Sequence, residues 1–425
     1  MTERMIALLK ENKTVTDYRI NITATESHEL FFVHEKLETV RSTDTTDLKV
    51  TVFVARDGKL GDATFSVYSS YDDDTIRREI ESACRKASLA ANEPYELPAG
   101  ETCVKEADSN FKNYKTAELA ASIAEAVFAA DSYDGGSINA LEVFLYRDTV
   151  TVKNSRGIDK TEGRYRAMVE AIPTWNGTEE SVELYECYNF TEFDAATVTA
   201  EIDTRMREVR DRCVAKAPAD KLKCAVLLSA PELSELFSSL AYELTFSGAY
   251  NHTGAFSLGD EVQKNPVGDP LSVTMCGAVK GSVRSAAFDS EGTTLVDAEV
   301  IRDGRAVGYF GAARYASYLG EKPTGNLGCL CVETGSLTDD ELRRAPYFRC
   351  ASMSGLQLDI YNDYIGGEVR LAYYFDGERE IPVTGISISG KLSEALSHMR
   401  LSTDKTVYEG YLGPKLASFA GIEIV

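Results

Sequence analysis

The sequence predicts an α+β protein of two domains: a strand-and-helix N-terminal domain over residues 1–218 and a mostly antiparallel, β-rich C-terminal domain over residues 222–425. Three observations predict it. Strand-like segments come in groups before and after clustered helices rather than in strict β-α alternation. A similar order of elements occurs twice in the first half. A polar, Pro-containing connector, APADK at Ala217–Lys221, then separates the last helix of that half from a new strand, CAVLLS.

Residues 3–12 read as a short opening helix. Residues 16–70 alternate with period two at YRINITA, LFFVHE, LKVTVFV and ATFSVYS, and Asp57-Gly58 supplies the turn between the last two. Next, DDDTIRREIESACRKASLAA places Asp72, Asp73 and Asp74 at a helix N-terminus, with Ile76, Ile80, Cys84 and Leu89 recurring at helical spacing. An irregular stretch with Pro94, Pro98 and Gly100 and a helix over about 115–130 follow. Strands return at ALEVFLYR, TVTVKNS, YRAMVEAI and SVELYECYNF, before a helix from Asp194. Thr75, Ile76, Glu79 and Ile80 match Thr197, Val198, Glu201 and Ile202 at a constant offset of 122, and Asp72 matches Asp194. The expectation is an internal duplication over about 16–92 and 133–215.

The second domain opens with a helix over residues 231–246, capped by Ser229 and carrying Pro231 in its first turn. Gly-rich, strand-like segments run from about 271 to the end.

Composition narrows the function. The 425 residues hold 45 Lys+Arg against 67 Asp+Glu, a formal charge of −22, and the densest basic stretches are pairs such as Arg77-Arg78 and Arg343-Arg344. That balance repels phosphate backbones and anionic headgroups, so no direct nucleic-acid binding is expected. No apolar run approaches the ~20 residues of a membrane span, and the N-terminus mixes in charges from its third residue, so neither export nor a membrane anchor is expected. The nine cysteines (Cys84, Cys103, Cys187, Cys213, Cys224, Cys276, Cys329, Cys331 and Cys350) form an odd, scattered set. It fits buried thiols in a reducing cytosol, and a cytoplasmic location, better than a disulfide framework. Cys329-Leu-Cys331 lacks the two-residue spacer of zinc knuckles and redox dithiols, and on a strand its two side chains share a face.

Chemistry-bearing patterns are sparse. The four histidines are His28, His34, His252 and His398, and no two stand one helical turn apart. His28 and His34 on one strand lie ~20 Å apart, too far for one metal. Gly385–Lys391 fits GxxxxGK, but Leu392 stands where Mg²⁺ needs a hydroxyl and Ile-Ser-Ile-Ser alternates like a strand. Neither a GxSxG elbow nor a GxGxxG turn after a strand occurs. The carboxylates Glu232/Glu235 and Asp339/Asp340/Glu341 sit at helix starts, where they cap.

Several stretches, in order, carry a resemblance: KLETVRSTDTTDLKVTVFVARDGKLGDATFS (36–66), LAANEPYELP (89–98), FDSEGT (288–293), PTGNL (323–327), CVETGSLTDDEL (331–342) and IPVTGISISGKL (381–392). Together they resemble the TldD/PmbA family of peptide-processing proteins across nearly the whole chain. In that family's metal-binding branch a helix after the domain boundary carries HExxxH, and a cysteine near the C-terminus completes a zinc site. The matching helix here reads LFSSLAYE, so the resemblance puts Ser238 at the first histidine, Ser239 at the glutamate and Glu243 at the second histidine. Tyr411 or Leu412 falls about where the cysteine would be.

A zinc hydrolase needs about three protein ligands and a glutamate to deprotonate the bound water. Two serines and one carboxylate do not supply them, so no catalytic, metal or cofactor-binding residue is expected and the chain resembles the metal-free, PmbA-type branch. The resemblance implies a dimer, with a zinc-bearing TldD-type sibling or with itself, that processes or degrades unstructured peptides. Two other readings stay open: a regulatory protein-binding homodimer of the gyrase-modulator type, and a metal-independent hydrolase using Cys or Ser with His252, which lies close after the degenerate helix, or His398 as base.

Overall fold

The computed structural model describes residues 1–178 and 180–425. All strands of an eight-stranded sheet come from residues 17–190, and all strands of a six-stranded and a nine-stranded sheet come from residues 225–424. Among the described residues the strands of these sheets pair antiparallel except at three places, where Thr102–Glu106 lies beside Asp159–Asn176, Ala225–Ser229 beside Tyr347–Met353, and Cys329–Val332 beside Tyr411–Pro414. The α+β class is therefore observed as expected.

In the first half, the expected strands YRINITA and LFFVHE are one strand, Asp17–Val33, and its partner Lys36–Arg56 is longer than the expected LKVTVFV. The reason is pairing on both sides. Ser27 and Glu29, which interrupt the apolar alternation, are buried between neighbouring strands with polar partners: the Ser27 hydroxyl lies 2.7 Å from that of Thr43, and Glu29 accepts from Arg41. ALEVFLYR and TVTVKNS likewise fuse into Gly136–Asn154, whereas SVELYECYNF divides into Ser181–Glu183 and Glu186–Phe190. Asp57 and Gly58 turn the chain with φ of 53° and 73°, the left-handed pair a tight hairpin requires.

The sheet order runs Lys59–Ser66, Lys36–Arg56, Asp17–Val33, Gly136–Asn154, Asp159–Asn176, Thr102–Glu106. Helices Thr2–Glu11 and Asp73–Ala87 pack with its first strands, and Thr116–Phe128 and Ala195–Val214 with its later ones. Asp72 accepts from Thr75 N at 2.8 Å and Asp194 from Thr197 N at 2.9 Å, the same cap at both expected copies. This arrangement is compatible with the expected duplication. Leu89, read onto the apolar face of the first capped helix, instead lies beyond its end and is exposed.

Period two decides what the other sheet face does. Tyr18, Ile20, Leu48, Val50 and Val52 bury against the helices, so the alternating Arg19, Asn21, Thr23, Lys49 and Thr51 point the opposite way, toward the C-terminal half.

The C-terminal half encloses the helix Ala230–Tyr242 between its two sheets. Leu233, Leu236, Phe237, Leu240 and Ala241 fall at helical spacing and are at most 1% exposed. Burying them fully contributes roughly 1.5–3 kcal/mol for each large side chain. Ser229 and Glu232 form a capping box, and Pro231 stands in the first turn as expected. The expected helix 231–246 breaks at Glu243–Thr245, because Thr245 caps a second, short helix, Phe246–Asn251, by accepting from Gly248 N at 3.1 Å.

The halves meet at the FDSEGT loop. Phe288 packs with Val152 and Ile158, Glu162 accepts from Ala287 N at 3.1 Å, and the Asn21 amide donates to Ser290 O at 2.7 Å. Gly292 has φ of 87°, and a Cβ there would stand 2.8 Å from Ile158, so glycine alone fits. Among the described residues no helix is long and apolar enough to cross a membrane.

Candidate functional site

The site helix presents one stripe that does not enter the core. Pro231, Ser234, Glu235, Ser238 and Tyr242 recur at three- and four-residue spacing and line a cavity of about 270 Å³, opposite Met275, Leu330, Tyr408, Glu409 and Gly410. Arg284 closes one end by donating to the Glu409 carboxylate at 2.5 Å. Tyr242 and Gly328 also line a neighbouring cavity of about 380 Å³ walled by Phe310 and Tyr315. Arg284 and Gly328 border a third, of about 530 Å³, which reaches the N-terminal sheet face at Arg19, Asn21, Thr23, Lys49 and Thr51. Adjoining through these shared residues, the three cavities form one cleft, and its third part lies between the two halves.

At its far end the cleft becomes polar. Arg19, Asp62, Tyr95, Glu291 and Arg314 surround about 240 Å³. Burial pushes the Tyr95 phenol up to about 12, and burial also raises Glu291 against the opposing pull of Arg19, whose guanidinium lies 3.4 Å away. Along the floor, Lys49 pairs with Asp47 at 3.0 Å and Arg164 with Glu162 at 2.9 Å. Each cation therefore has an acidic neighbour although the whole chain is acidic.

The positions singled out from sequence are not gathered in this cleft. Ser238 lines it. Ser239, half-buried, lies one position round the helix, outside the lining. Glu243 ends the helix and is occupied elsewhere: it accepts from Ala255 N at 2.7 Å and lies 3.0 Å from the Tyr361 hydroxyl. Tyr411 is fully buried in the core that holds the site helix, and Leu412, the next residue, faces the other side of the sheet beside Cys276, Val279, Cys329 and Cys331. Neutral hydroxyls, a carboxylate committed to a loop, and a leucine behind the sheet do not fit a zinc ion. Among the described residues no group of three His, Cys, Asp or Glu side chains is arranged to hold a metal.

The remaining candidates stand apart. His252 is exposed, in the left-handed conformation that ends the helix Phe246–Asn251, and does not line the cleft. His398 is exposed at another helix end, and the His28 ring lies 2.7 Å from the Ser42 hydroxyl on the long hairpin. Residues 386–391 of the GxxxxGK stretch form a strand paired in register with Tyr364–Val369, so they make no phosphate cradle.

Sequence reasoning did not find Arg284, Glu409 or the sheet-face cations. Helical spacing from Ser238 would have pointed to Glu235 and Tyr242, but nothing in the sequence links Arg284 to Glu409 across 125 residues. Neither histidine nor cysteine lines the described cleft, whose walls carry aromatic rings and glycines.

Residues 221–423 match the family model described as the PmbA/TldA metallopeptidase C-terminal domain. No curated protein matches the chain. Among solved structures it is similar to TldE from Thermococcus kodakarensis, with a TM-score of 0.81 and 14% identity over 100% of this chain and 99% of that one. It is also similar to a candidate modulator of a DNA gyrase from Thermotoga maritima, with a TM-score of 0.79 and 16% identity, covering 100% and 99%. A third, a candidate modulator of DNA gyrase from Bacteroides thetaiotaomicron, gives 0.80 and 14%, covering 100% and 97%. At these identities the structural likeness shows a shared fold.

Proposed function

Because the chain belongs to the TldD/PmbA family, we propose that it is a PmbA-like subunit that binds no metal and holds unstructured peptide for a peptidase assembly whose zinc a TldD-type sibling supplies. One observation carries this reading. The helix that would bear the metal ligands turns Ser238, Glu235 and Tyr242 into a cleft that can hold a chain but not activate water.

The peptide lies extended between the two halves. The strand Lys405–Tyr408 ends the six-stranded sheet, packs on the site helix and, among the described residues, pairs on one side only, with Tyr411–Pro414. Its free edge offers main-chain donors and acceptors that bind without reading side chains, which suits substrates defined by lack of structure. Tyr242, which lines a cavity with Tyr408, and Phe310 and Tyr315 in the neighbouring cavity offer apolar surface.

The test is metal analysis and a peptide-degradation assay on the purified chain, alone and mixed with a TldD-type sibling carrying HExxxH. The expected result is less than stoichiometric zinc and no cleavage alone, with cleavage in the mixture. Stoichiometric zinc together with cleavage by the chain alone overturns the proposal.

A further inference from the structure

We infer that Cys276 and Cys331 form a peroxide-sensitive dithiol, a modification site that closes to a disulfide on the sheet face behind the cleft. The strand Val273–Cys276 pairs antiparallel with Cys329–Val332, with Cys276 opposite Cys329 and Thr274 opposite Cys331. The pleat therefore puts Cys276, Cys329 and Cys331 on one face. The Cys276 and Cys331 sulfurs are 2.8 Å apart, in direct contact. Cys329 is fully buried and its sulfur is held by the Ser282 hydroxyl at 3.4 Å. Cys276 is also buried, so Cys331, half-buried, is the member of the trio that meets solvent.

The two thiols divide the chemistry. The Cys276 thiol donates to Cys331, which lowers the Cys331 value below the ordinary thiol range against the opposing effects of burial and Asp297, and Lys405 acts in the lowering direction. That same donation, with burial, raises Cys276. Cys331 is thus the attacking sulfur and Cys276 the resolving one. The oxidant is a hydroperoxide, here hydrogen peroxide. The Cys331 thiol releases its proton and the thiolate attacks one peroxide oxygen; the O–O bond breaks, and the other oxygen leaves as hydroxide, which takes up that proton to become water, giving Cys331 sulfenic acid. Cys276 then attacks that sulfur, the S–S bond forms, the S–O bond breaks, and the oxygen leaves as a second water with the thiol proton. Two thiols lose two electrons and two protons, and one peroxide becomes two waters. In a reducing compartment the pair rests as the dithiol. Met275 and Leu330, next in the chain to Cys276 and Cys331 respectively, form part of the cleft wall on the opposite face, so the bond would pin that wall from behind.

The test treats the full-length protein with stepwise hydrogen peroxide, alkylates the remaining thiols and maps the peptides without reduction. The expected result is loss of two of the nine alkylatable thiols, and a Cys276–Cys331 cross-linked peptide lighter by two hydrogens that dithiothreitol separates. Cys276→Ser should stop the reaction at Cys331 sulfenic acid, trapped by dimedone, and Cys331→Ser should leave Cys276 reduced. The inference is overturned if Cys331 passes to sulfinic acid while Cys276 stays alkylatable, or if Cys331 stays reduced while thiols elsewhere oxidise. Should either serine variant fail to fold, the map of the unaltered protein decides between these outcomes.

Discussion

The Lys160 ammonium, from the N-terminal half, donates to the carbonyl of Gly292 in the C-terminal half at 2.8 Å, with Thr294 Oγ1 at 2.6 Å and the Glu101 carboxylate completing its shell. Lys160 is only 1% exposed, so this lysine is a buried tie between the halves rather than a surface charge. Replacing it with methionine keeps the packed stem and removes the donor from all three acceptors. The expected cost is about 2 kcal/mol, read as a lower denaturation midpoint. Lys160→Ala should cost more, because the stem's packing is lost too. A Lys160→Met protein within ~0.5 kcal/mol of the original would show that the tie contributes nothing.

Stability should fall as pH rises through neutrality. One guanidinium, Arg205, serves three carboxylates: Glu186 at 2.8 Å, Glu201 at 3.3 Å and Glu208 at 2.5 Å. Burial pushes Glu186 up to about 7, Arg205 pulls it down, and Glu201 and Glu208 push it up again. In the unfolded chain it titrates near ~4.3. Between those values the folded state keeps a proton that the unfolded chain has released. Its contribution is therefore full below the unfolded value and is lost as pH rises through about 7. Glu208, also raised by burial, acts in the same direction. Denaturation between pH 5 and 8 should show a loss of at most about 3 kcal/mol from Glu186. Glu186→Gln should flatten the curve, and an unchanged slope would count against this assignment.

Glu243 should behave as a loop anchor and not as a metal ligand. Its contacts to Ala255 N and Tyr361 predict that Glu243→Ala costs about 1–2 kcal/mol. The loss should be identical with a chelator and with added zinc. A difference between those two melting curves would return Glu243 to metal chemistry.

If the cleft holds peptide, capture should depend on its aromatic wall and its free edge. Tyr242 is 48% exposed, so Tyr242→Ala should leave the unfolding midpoint nearly unchanged while weakening capture of an unstructured peptide about tenfold, ~1.4 kcal/mol. Proline at Thr406 and, separately, at Val407 samples both alternating N–H directions of the edge strand. One of the two should abolish capture. Full capture by both folded variants would exclude this edge as the docking strand.

Much of the fold was readable because its signals are local. Asp72 and Asp194 are caps separated from their donor partners by three residues, and Asp57-Gly58 is a two-residue turn. The strand through Ser27 and Glu29 was misread because the partners that make those polar side chains tolerable, Thr43 and Arg41, stand on a neighbouring strand. The site helix was found with its cap and first turn, but its end was set by Thr245, whose capping role competes with helix continuation. Ser238 reaches the cleft through helical spacing. Leu412 could not be placed, since one residue along a strand changes which side of a sheet it serves, and that register is fixed by pairing with Cys331.

Gly292 and Ile158 come from opposite sides of the junction and claim the same few cubic ångströms, with clearance for a hydrogen atom and no more. Grafting either half onto a distant homologue's other half would import one member of that pair without its complement. A chimera of this kind would therefore have to exchange the two positions together.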